Sequence, residues 1–228
     1  MAQLNGKPIL FFCGGNAVVY GFEALPTNST TSASVEKLKK VFQFDFDPRA
    51  PKENIHKYTS NRREGPSTIY GMPVFHNNRL YVAGGGDLFW GKNEAWIKCI
   101  DATKEGDITA TAEVWSYTLE RHVISTPAIA GEIMFISDCG RKLHCLETAT
   151  GKPLWTHDIV GEAWASPMVA DGKVYLGTRS GHFYVMAASK EKRELSHIET
   201  GAPISATATA ANGTLYVGTM THLYAIAQ

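Results

Sequence analysis

Residues 126–158 read TPAIAGEIMFISDCGRKLHCLETATGKPLWTHD, and this stretch decides the fold of the chain. Short apolar runs alternate with polar residues at a period of two, which is typical of β-strands that bury one face. Gly131, Gly140 and Gly151 fall between these runs, where tight turns need them. The stretch therefore predicts one antiparallel sheet of four short strands.

The same strand–turn–strand pattern recurs four times along the chain, each time with an aromatic residue at the centre of the second strand. These aromatic residues are Tyr81, Phe135, Tyr175 and Tyr216, separated by 54, 40 and 41 residues. Such a period is the sequence signature of a four-stranded β-propeller blade. The pairs Asp171-Gly172 and Asn212-Gly213 supply the positive φ angles that tight hairpins require.

The N-terminal part follows the same register, with ILFFCGG as a second strand, AVVYGF as a third and KKVFQFDF as a fourth. We expect the first strand of that blade to be lost at the start, and the fourth strand to be missing from the last blade. The prediction is an all-β fold: one partial β-propeller domain over 1–228, with about four and three-quarter blades in an incomplete ring. The predicted blades cover approximately 1–65, 66–120, 121–161, 162–202 and 203–228.

Composition excludes several classes of function. The 22 basic residues balance the 22 acidic ones, so the chain lacks the basic face expected of a nucleic-acid-binding protein. No apolar run approaches the roughly 18 residues of a membrane-spanning helix, and glycines interrupt the apolar stretch at residues 8–15, so we expect no signal peptide in this chain. No CxxC motif is present, and we expect free thiols at Cys13, Cys99, Cys139 and Cys145.

The segments KVYLGTRSGHFYVM, KLHCLETATGKPLW and TLYVGTMTHLYAIA resemble the PQQ-type (quinoprotein-alcohol-dehydrogenase-like) propeller family. The resemblance covers nearly the whole chain, which is similar to the C-terminal half of a longer bacterial repeat protein. It implies a periplasmic or extracellular location, because relatives of this kind are mostly exported by bacteria. It also raises PQQ with calcium as an alternative, since the dehydrogenases of the family hold the quinone between a tryptophan and, in several cases, a vicinal disulfide.

Adjacent cysteines are absent, and no set of calcium ligands is evident, so we expect neither cofactor nor metal. Trp115 and Trp155 fall at the LW position of the repeat and are assigned to packing between blades. His144 stands in the slot that Tyr184 and Tyr224 fill in other blades, which also favours packing.

Loops that precede the inner strands should meet at one mouth of the central channel. They carry a cation, an imidazole, a carboxylate and aromatic rings, which together suit a polar ligand. The candidate ligand-binding residues are Tyr70, Arg121, His122, Glu162 and Trp164. These residues do not form the arrangement of a nucleophile, a base and an orienting group that covalent catalysis needs, so we nominate no catalytic residue.

The largest insertions, at 84–95 and 103–111, interrupt the second blade. Two carboxylates, Asp87 and Glu94, are too few for a calcium site, and we interpret the first insertion as a surface loop.

The leading hypothesis is a non-catalytic module that binds a protein or a small polar ligand. Its partner would be another protein, the missing half of the propeller or a second copy of the chain, with no nucleic acid involved. The alternative is a fragment of a PQQ-dependent dehydrogenase, so whether the chain is an enzyme stays open.

Overall fold

The computed structural model describes residues 2–4, 6–25, 37–61, 63–88 and 92–227. Within these ranges the chain folds into five sheets that follow one another along the sequence, and all but one of their strand pairs are antiparallel. The first sheet contains β1 (Ala2–Leu4), β2 (Lys7–Cys13), β3 (Val18–Glu23) and β4 (Lys40–Asp45).

The first strand of this sheet was expected to be lost, and that expectation was wrong. Ala2–Leu4 pairs with Lys7–Ile9 as a complete inner strand. The inner strands of all five blades are equally short, each with three residues, so AQL is long enough for the role although too short to show a period of two.

The second sheet departs most from the repeat, because its insertions add strands. A short 3₁₀ turn at Ile55–Tyr58 precedes it. Its strands are β5 (Ser67–Thr68), β6 (Val74–His76), β7 (Arg79–Gly86), β8 (Ala95–Asp101) and β10 (Glu113–Leu119). The insertion before β10 contributes β9 (Gly106–Asp107), which pairs in parallel with β4 and so fastens the second blade to the first.

The third and fourth sheets are regular four-stranded blades. The third contains β11 (Ala128–Ala130), β12 (Ile133–Asp138), β13 (Lys142–Glu147) and β14 (Pro153–Asp158). The fourth contains β15 (Met168–Ala170), β16 (Lys173–Gly177), β17 (His182–Ala187) and β18 (Glu194–Glu199). A β-bulge interrupts the pairing of the third and fourth strands in each.

The fifth sheet has three described strands, β19 (Thr209–Ala211), β20 (Thr214–Gly218) and β21 (Leu223–Ala227). Within the described part of the chain, no strand of this sheet pairs with the first sheet. The fold is therefore an all-β partial propeller of four complete blades and three strands of a fifth. This confirms the predicted fold class, although the first blade has the strand that was expected to be lost.

Two kinds of contact hold neighbouring blades together. Apolar side chains form a buried cluster in each seam between blades, and Trp115 and Trp155 pack in the second and third of these clusters, which confirms their assignment. Each indole N–H also donates to a backbone oxygen of the next blade, Trp115 to Thr148 at 3.0 Å and Trp155 to Ser189 at 3.1 Å.

The second kind of contact is a chain of hydrogen bonds, the hydroxyl ladder, that links the starts of the inner strands. The Met72 N–H donates to Thr126 Oγ1 at 2.9 Å, and the Thr126 N–H donates to Ser166 Oγ at 2.9 Å. The Ser166 N–H in turn donates to Thr207 Oγ1 at 3.0 Å. Each of these backbone N–H groups has a side-chain hydroxyl as its acceptor, so the ladder explains the Ser or Thr that begins the repeats of the third, fourth and fifth blades.

Candidate ligand-binding site

The candidate residues lie at one end of the blades, where the loops from the second to the third strands meet the loops that enter the next blade. Arg121 and His122 follow β10, Glu162 and Trp164 follow β14, and Tyr70 precedes β6. We call this end the upper end of the propeller.

Three of the five candidates line a common cavity. Arg121, His122 and Glu162 surround a space of about 380 Å³, together with Leu88, Asn93 and Cys139. An adjoining space of about 260 Å³ is lined by Arg121, Cys139, Gly140, Arg141 and Glu162. We call Arg121, His122, Cys139, Arg141 and Glu162 the channel-mouth site.

Buried hydrogen bonds hold the loops of this site in place. The Cys139 N–H donates to the His122 carbonyl at 2.8 Å, which joins the β12–β13 loop to the loop after β10. The Glu120 N–H donates to Asp138 Oδ2 at 2.8 Å, and Ser125 Oγ donates to the Ser137 carbonyl at 2.6 Å. Because the anchors are buried, the exposed Arg121 side chain projects from a fixed backbone.

Trp164 lies beside this site and contacts Glu162 directly. Its indole N–H donates to Glu162 Oε2 at 3.2 Å. The guanidinium of Arg179 lies over the indole ring, 4.3 Å from its centroid, and also donates to Ser205 Oγ at 3.0 Å. Arg179 thus occupies one face of the indole ring, where a planar ligand could otherwise stack.

Tyr70 does not line either space of the channel-mouth site. Its hydroxyl donates a short hydrogen bond to Asp87 Oδ2, the residue before Leu88. Burial, together with the charge of Asp87, raises the pKa of Tyr70 to about 12.

Arg141 and Cys139 are the two members of the site that were not predicted from the sequence. The Cys139 side chain is buried, and burial raises the pKa of the thiol to about 12, with further contributions from the negative charges of Glu162 and Asp138. A thiol in this environment stays protonated at neutral pH and is a poor nucleophile. Both residues lie in the hairpin loop after β12, and this position was the signal by which the sequence could have indicated them.

A polar network lies behind the site. Asp138 is fully buried, and one of its carboxylate oxygens lies 3.2 Å from His144 Nε2. His144 Nδ1 lies 3.2 Å from the Tyr117 hydroxyl in the second blade. His144 is buried, and its ring also meets the Tyr117 ring edge-on with centroids 5.6 Å apart, so His144 packs between two blades as predicted and in addition forms these polar contacts.

A second cavity of about 590 Å³ at the upper end was not predicted. It lies between the segment at 49–65 and the end of the insertion that the sequence indicated as a surface loop. Its lining contains Arg49, Tyr58, Arg63, Glu64, Lys92, Glu94 and Trp96. Lys92 is buried against Asp47, and the same carboxylate accepts a hydrogen bond from Ser67 Oγ at 2.6 Å, so this cation is neutralised.

The described residues do not fit a quinone held by calcium. Among them, no group of three or more His, Cys, Asp or Glu side chains is placed to hold a metal ion. Trp164, which lies beside the channel-mouth site, has one face covered by Arg179. All four cysteines are free, and no two are adjacent in the sequence.

The blades and the site together define the class of protein, a partial propeller of PQQ-type repeats with a polar cavity at one end. A family model described as "Outer membrane protein assembly factor BamB" matches residues 93–227. This match covers more than half of the chain, so the chain belongs to that family.

Two curated relatives match a smaller part of the chain. The 1-butanol dehydrogenase (cytochrome c) of Thauera butanivorans is 31% identical over 35% of this chain and 14% of its own length. The quinohemoprotein alcohol dehydrogenase of Comamonas testosteroni is 29% identical over 44% of this chain and 16% of its own length. The matched segments thus span about one seventh of the first dehydrogenase and one sixth of the second.

Solved structures show the same fold at low identity. BamB from Moraxella catarrhalis has a TM-score of 0.65 and 13% identity, covering 99% of this chain and 59% of the other. The C-terminal WD40 domain of Sif2 also has a TM-score of 0.65, with 14% identity, covering 99% of this chain and 56% of the other. In the described part of the chain, no helix is long and apolar enough to span a membrane.

Proposed function

We propose that this chain is a non-catalytic binding module and that the channel-mouth site recognises an acidic segment of a partner protein. The observation that carries this proposal is the pair of arginines, Arg121 and Arg141, that share one cavity with Glu162. Among the ion pairs of the described residues, none contains either guanidinium. Arginine is well suited to bidentate recognition of carboxylate groups.

The site has recognition groups but lacks the parts of an enzyme centre. The thiol of Cys139 is protonated, and Asp138 and His144 are buried in the network between the blades. Functions of propellers depend on sites added to the blades and not on the fold itself. The description of the family supports a role in outer membrane protein assembly and a periplasmic location, and we include both in the proposal.

Site-specific photo-crosslinking tests the proposal. A photoreactive amino acid at position 121 should give an adduct with a protein of a bacterial envelope extract, identified by mass spectrometry. The matched control is position 152, in the β13–β14 turn at the opposite end of the same blade. The same adduct from both positions, or none specific to position 121, would contradict the proposal.

Charge reversal then tests the role of the arginines. With the identified partner purified, Arg121→Glu and Arg141→Glu should each weaken its binding by about tenfold or more, as loss of a charge-assisted contact predicts. Lys152→Glu should leave the affinity unchanged. Equal affinity for all three variants would show that the channel-mouth site is not part of the interface.

Exposed apolar side chains at β21 offer a second protein contact. Leu223 is 72% exposed and Ile226 is 50% exposed, and the outer edge of β21 pairs with no described strand. We propose that a strand of a second copy of the chain pairs there by β-augmentation. Sedimentation of the 1–228 polypeptide should show concentration-dependent association, which Leu223→Lys weakens; a monomer at all concentrations would contradict this.

The second candidate function is that of a fragment of a quinone-dependent dehydrogenase, and the partial similarity to two alcohol dehydrogenases favours it. This candidate predicts that the chain, supplied with PQQ and calcium, reduces an artificial electron acceptor when 1-butanol is added. Our proposal predicts a rate equal to that of PQQ and calcium without protein.

A further inference from the structure

Two histidines on neighbouring strands of the fourth blade approach closely. His182 begins β17 and His197 lies on β18, where the register pairs His197 with Tyr184 and His182 with Glu199. The two imidazoles are thus diagonal neighbours on one face of the sheet. His182 Nδ1 lies 2.8 Å from His197 Nε2, and the ring centroids are 5.0 Å apart.

Tyr184 holds both rings in this orientation. The His197 ring stacks on Tyr184 with centroids 4.2 Å apart and an interplanar angle of 16°. The His182 ring lies 6.4 Å from the same tyrosine at 25°. A third imidazole, His157 of the preceding blade, meets Tyr184 edge-on and lies 3.2 Å from Glu194. Ligands whose rotamers are fixed by packing lose little entropy when they bind an ion.

The distance between the two nitrogens suits a shared metal ion. Two imidazoles that coordinate one ion at about 2.0–2.1 Å have nitrogens roughly 3 Å apart, so the pair needs to open by no more than about half an ångström. The ion would replace the proton that one imidazole now donates to the other. Because His197 is exposed and His182 is half-buried, an ion can reach the pair from solvent.

We propose that His182 and His197 form a surface site for a divalent transition-metal ion. Imidazole ligands suit copper, nickel and zinc, and Cu²⁺ binds most tightly of the divalent first-row ions. Since no third protein ligand is in place among the described residues, water completes the coordination of the ion. The proposal is independent of the channel-mouth site, which lies on other loops.

The repeat supplies a matched control for this pair. His222 stands in the fifth blade at the position of His182, one residue before Leu223 and two before Tyr224. Its ring lies 5.9 Å from Tyr224, and its Nδ1 lies 2.8 Å from the Thr221 hydroxyl. The described part of the fifth blade contains no fourth strand that could present a second imidazole.

Calorimetric titration of the 1–228 chain with Cu²⁺, in a buffer that does not coordinate metals, tests the proposal. One ion should bind per chain, and His182→Ala and His197→Ala should each lower the affinity at least about tenfold, the smallest loss expected even when only an outer-shell partner is removed. His222→Ala should leave the affinity unchanged. Electron paramagnetic resonance should show two coordinated nitrogens, reduced to one in either variant.

Circular dichroism should confirm that all three variants are folded, and His182→Gln and His197→Gln provide a second pair that keeps a polar side chain. Undiminished Cu²⁺ affinity in the His182 and His197 variants would overturn the proposal. An equal loss in His222→Ala would also overturn it, because binding would then follow the number of histidines and not the pair.

Discussion

The seam between the third and fourth blades differs from the seam between the fourth and fifth at one register position. In the third blade Trp155 pairs with Cys145, and its indole fills the seam against Phe135, with ring centroids 5.7 Å apart. In the fourth blade the corresponding pair is Ser196 and Val185. A cavity of about 180 Å³ lies at that second seam, lined in part by Ile198, Val217 and Tyr224.

The difference shows what the fourth-strand tryptophan contributes. It packs in the buried cluster of its seam, and its N–H donates to a backbone carbonyl of the following blade, whereas a serine at the corresponding position offers no ring to the seam. In β18, His197 and Glu199 lie on the face of the sheet opposite to Ser196. One blade thus uses its outer strand for packing, while the next uses it to display donor groups.

The largest effect is expected from Trp155→Ala. Removing a buried tryptophan leaves a cavity and removes the N–H donor to the Ser189 carbonyl, so the free energy of unfolding should fall by about 3–5 kcal/mol. Ser196→Ala at the corresponding position should change it by less than about 0.5 kcal/mol. Urea unfolding measures the change in free energy for both variants. Similar changes would show that the two seams do not differ in the way proposed.

The reactivity of the Cys145 thiol is a second test of how tightly Trp155 packs in its seam. Burial raises the pKa of Cys145 from 9.0 to about 12, so its thiolate fraction at pH 8 should be about a thousandfold lower than in the unfolded chain. Trp155→Ala opens the space beside this thiol and should increase its reaction rate with a disulfide reagent. Cys145→Ala in the Trp155→Ala background should abolish the increase; a fast thiol in the wild-type chain would contradict the burial.

The hydroxyl ladder should respond more weakly than the seam. Thr126→Val keeps the shape of the side chain but removes the acceptor of the Met72 N–H, so the free energy of unfolding should fall by about 1 kcal/mol. Thr126→Ser should restore most of the loss. If valine and serine have equal effects in urea unfolding, the hydroxyl does not matter to the seam.

The smallest effect concerns pH. Burial and the charge of Lys192 lower the pKa of His157 below its ordinary value of 6.5. The unfolded chain therefore takes up a proton at this histidine before the folded chain does, and stability is lost as pH falls below 6.5. His157→Gln should reduce the loss measured between pH 7 and pH 5; an unchanged slope would show that other groups govern it.

The repeat allowed the sequence to predict the strands and the packing of Trp115, Trp155 and His144, because each is a local pattern that recurs. Features that depend on register escaped prediction. The His182–His197 pair is diagonal across two strands with a bulge nearby, and a shift of one residue would place the rings on opposite faces. Pairing of β9 with β4 joins residues 64 positions apart, and no local pattern encodes it.

The candidate site could be predicted only in part from the sequence, for the same reason. Arg121, His122 and Glu162 could be nominated because loops at one end of a propeller converge. Their sharing of a cavity with Cys139 and Arg141 depends on the depth at which each loop packs. Tyr70 instead bonds to Asp87 in the insertion, which has no counterpart in the other blades.

Calorimetric titration of the purified chain with PQQ in the presence of calcium tests the central claim, that the upper end of the propeller is a recognition surface and not a quinone site. The account predicts no heat of binding for the wild-type chain or for Trp164→Ala. Stoichiometric, calcium-dependent binding that is lost in Trp164→Ala would contradict it and would assign the channel mouth to the cofactor.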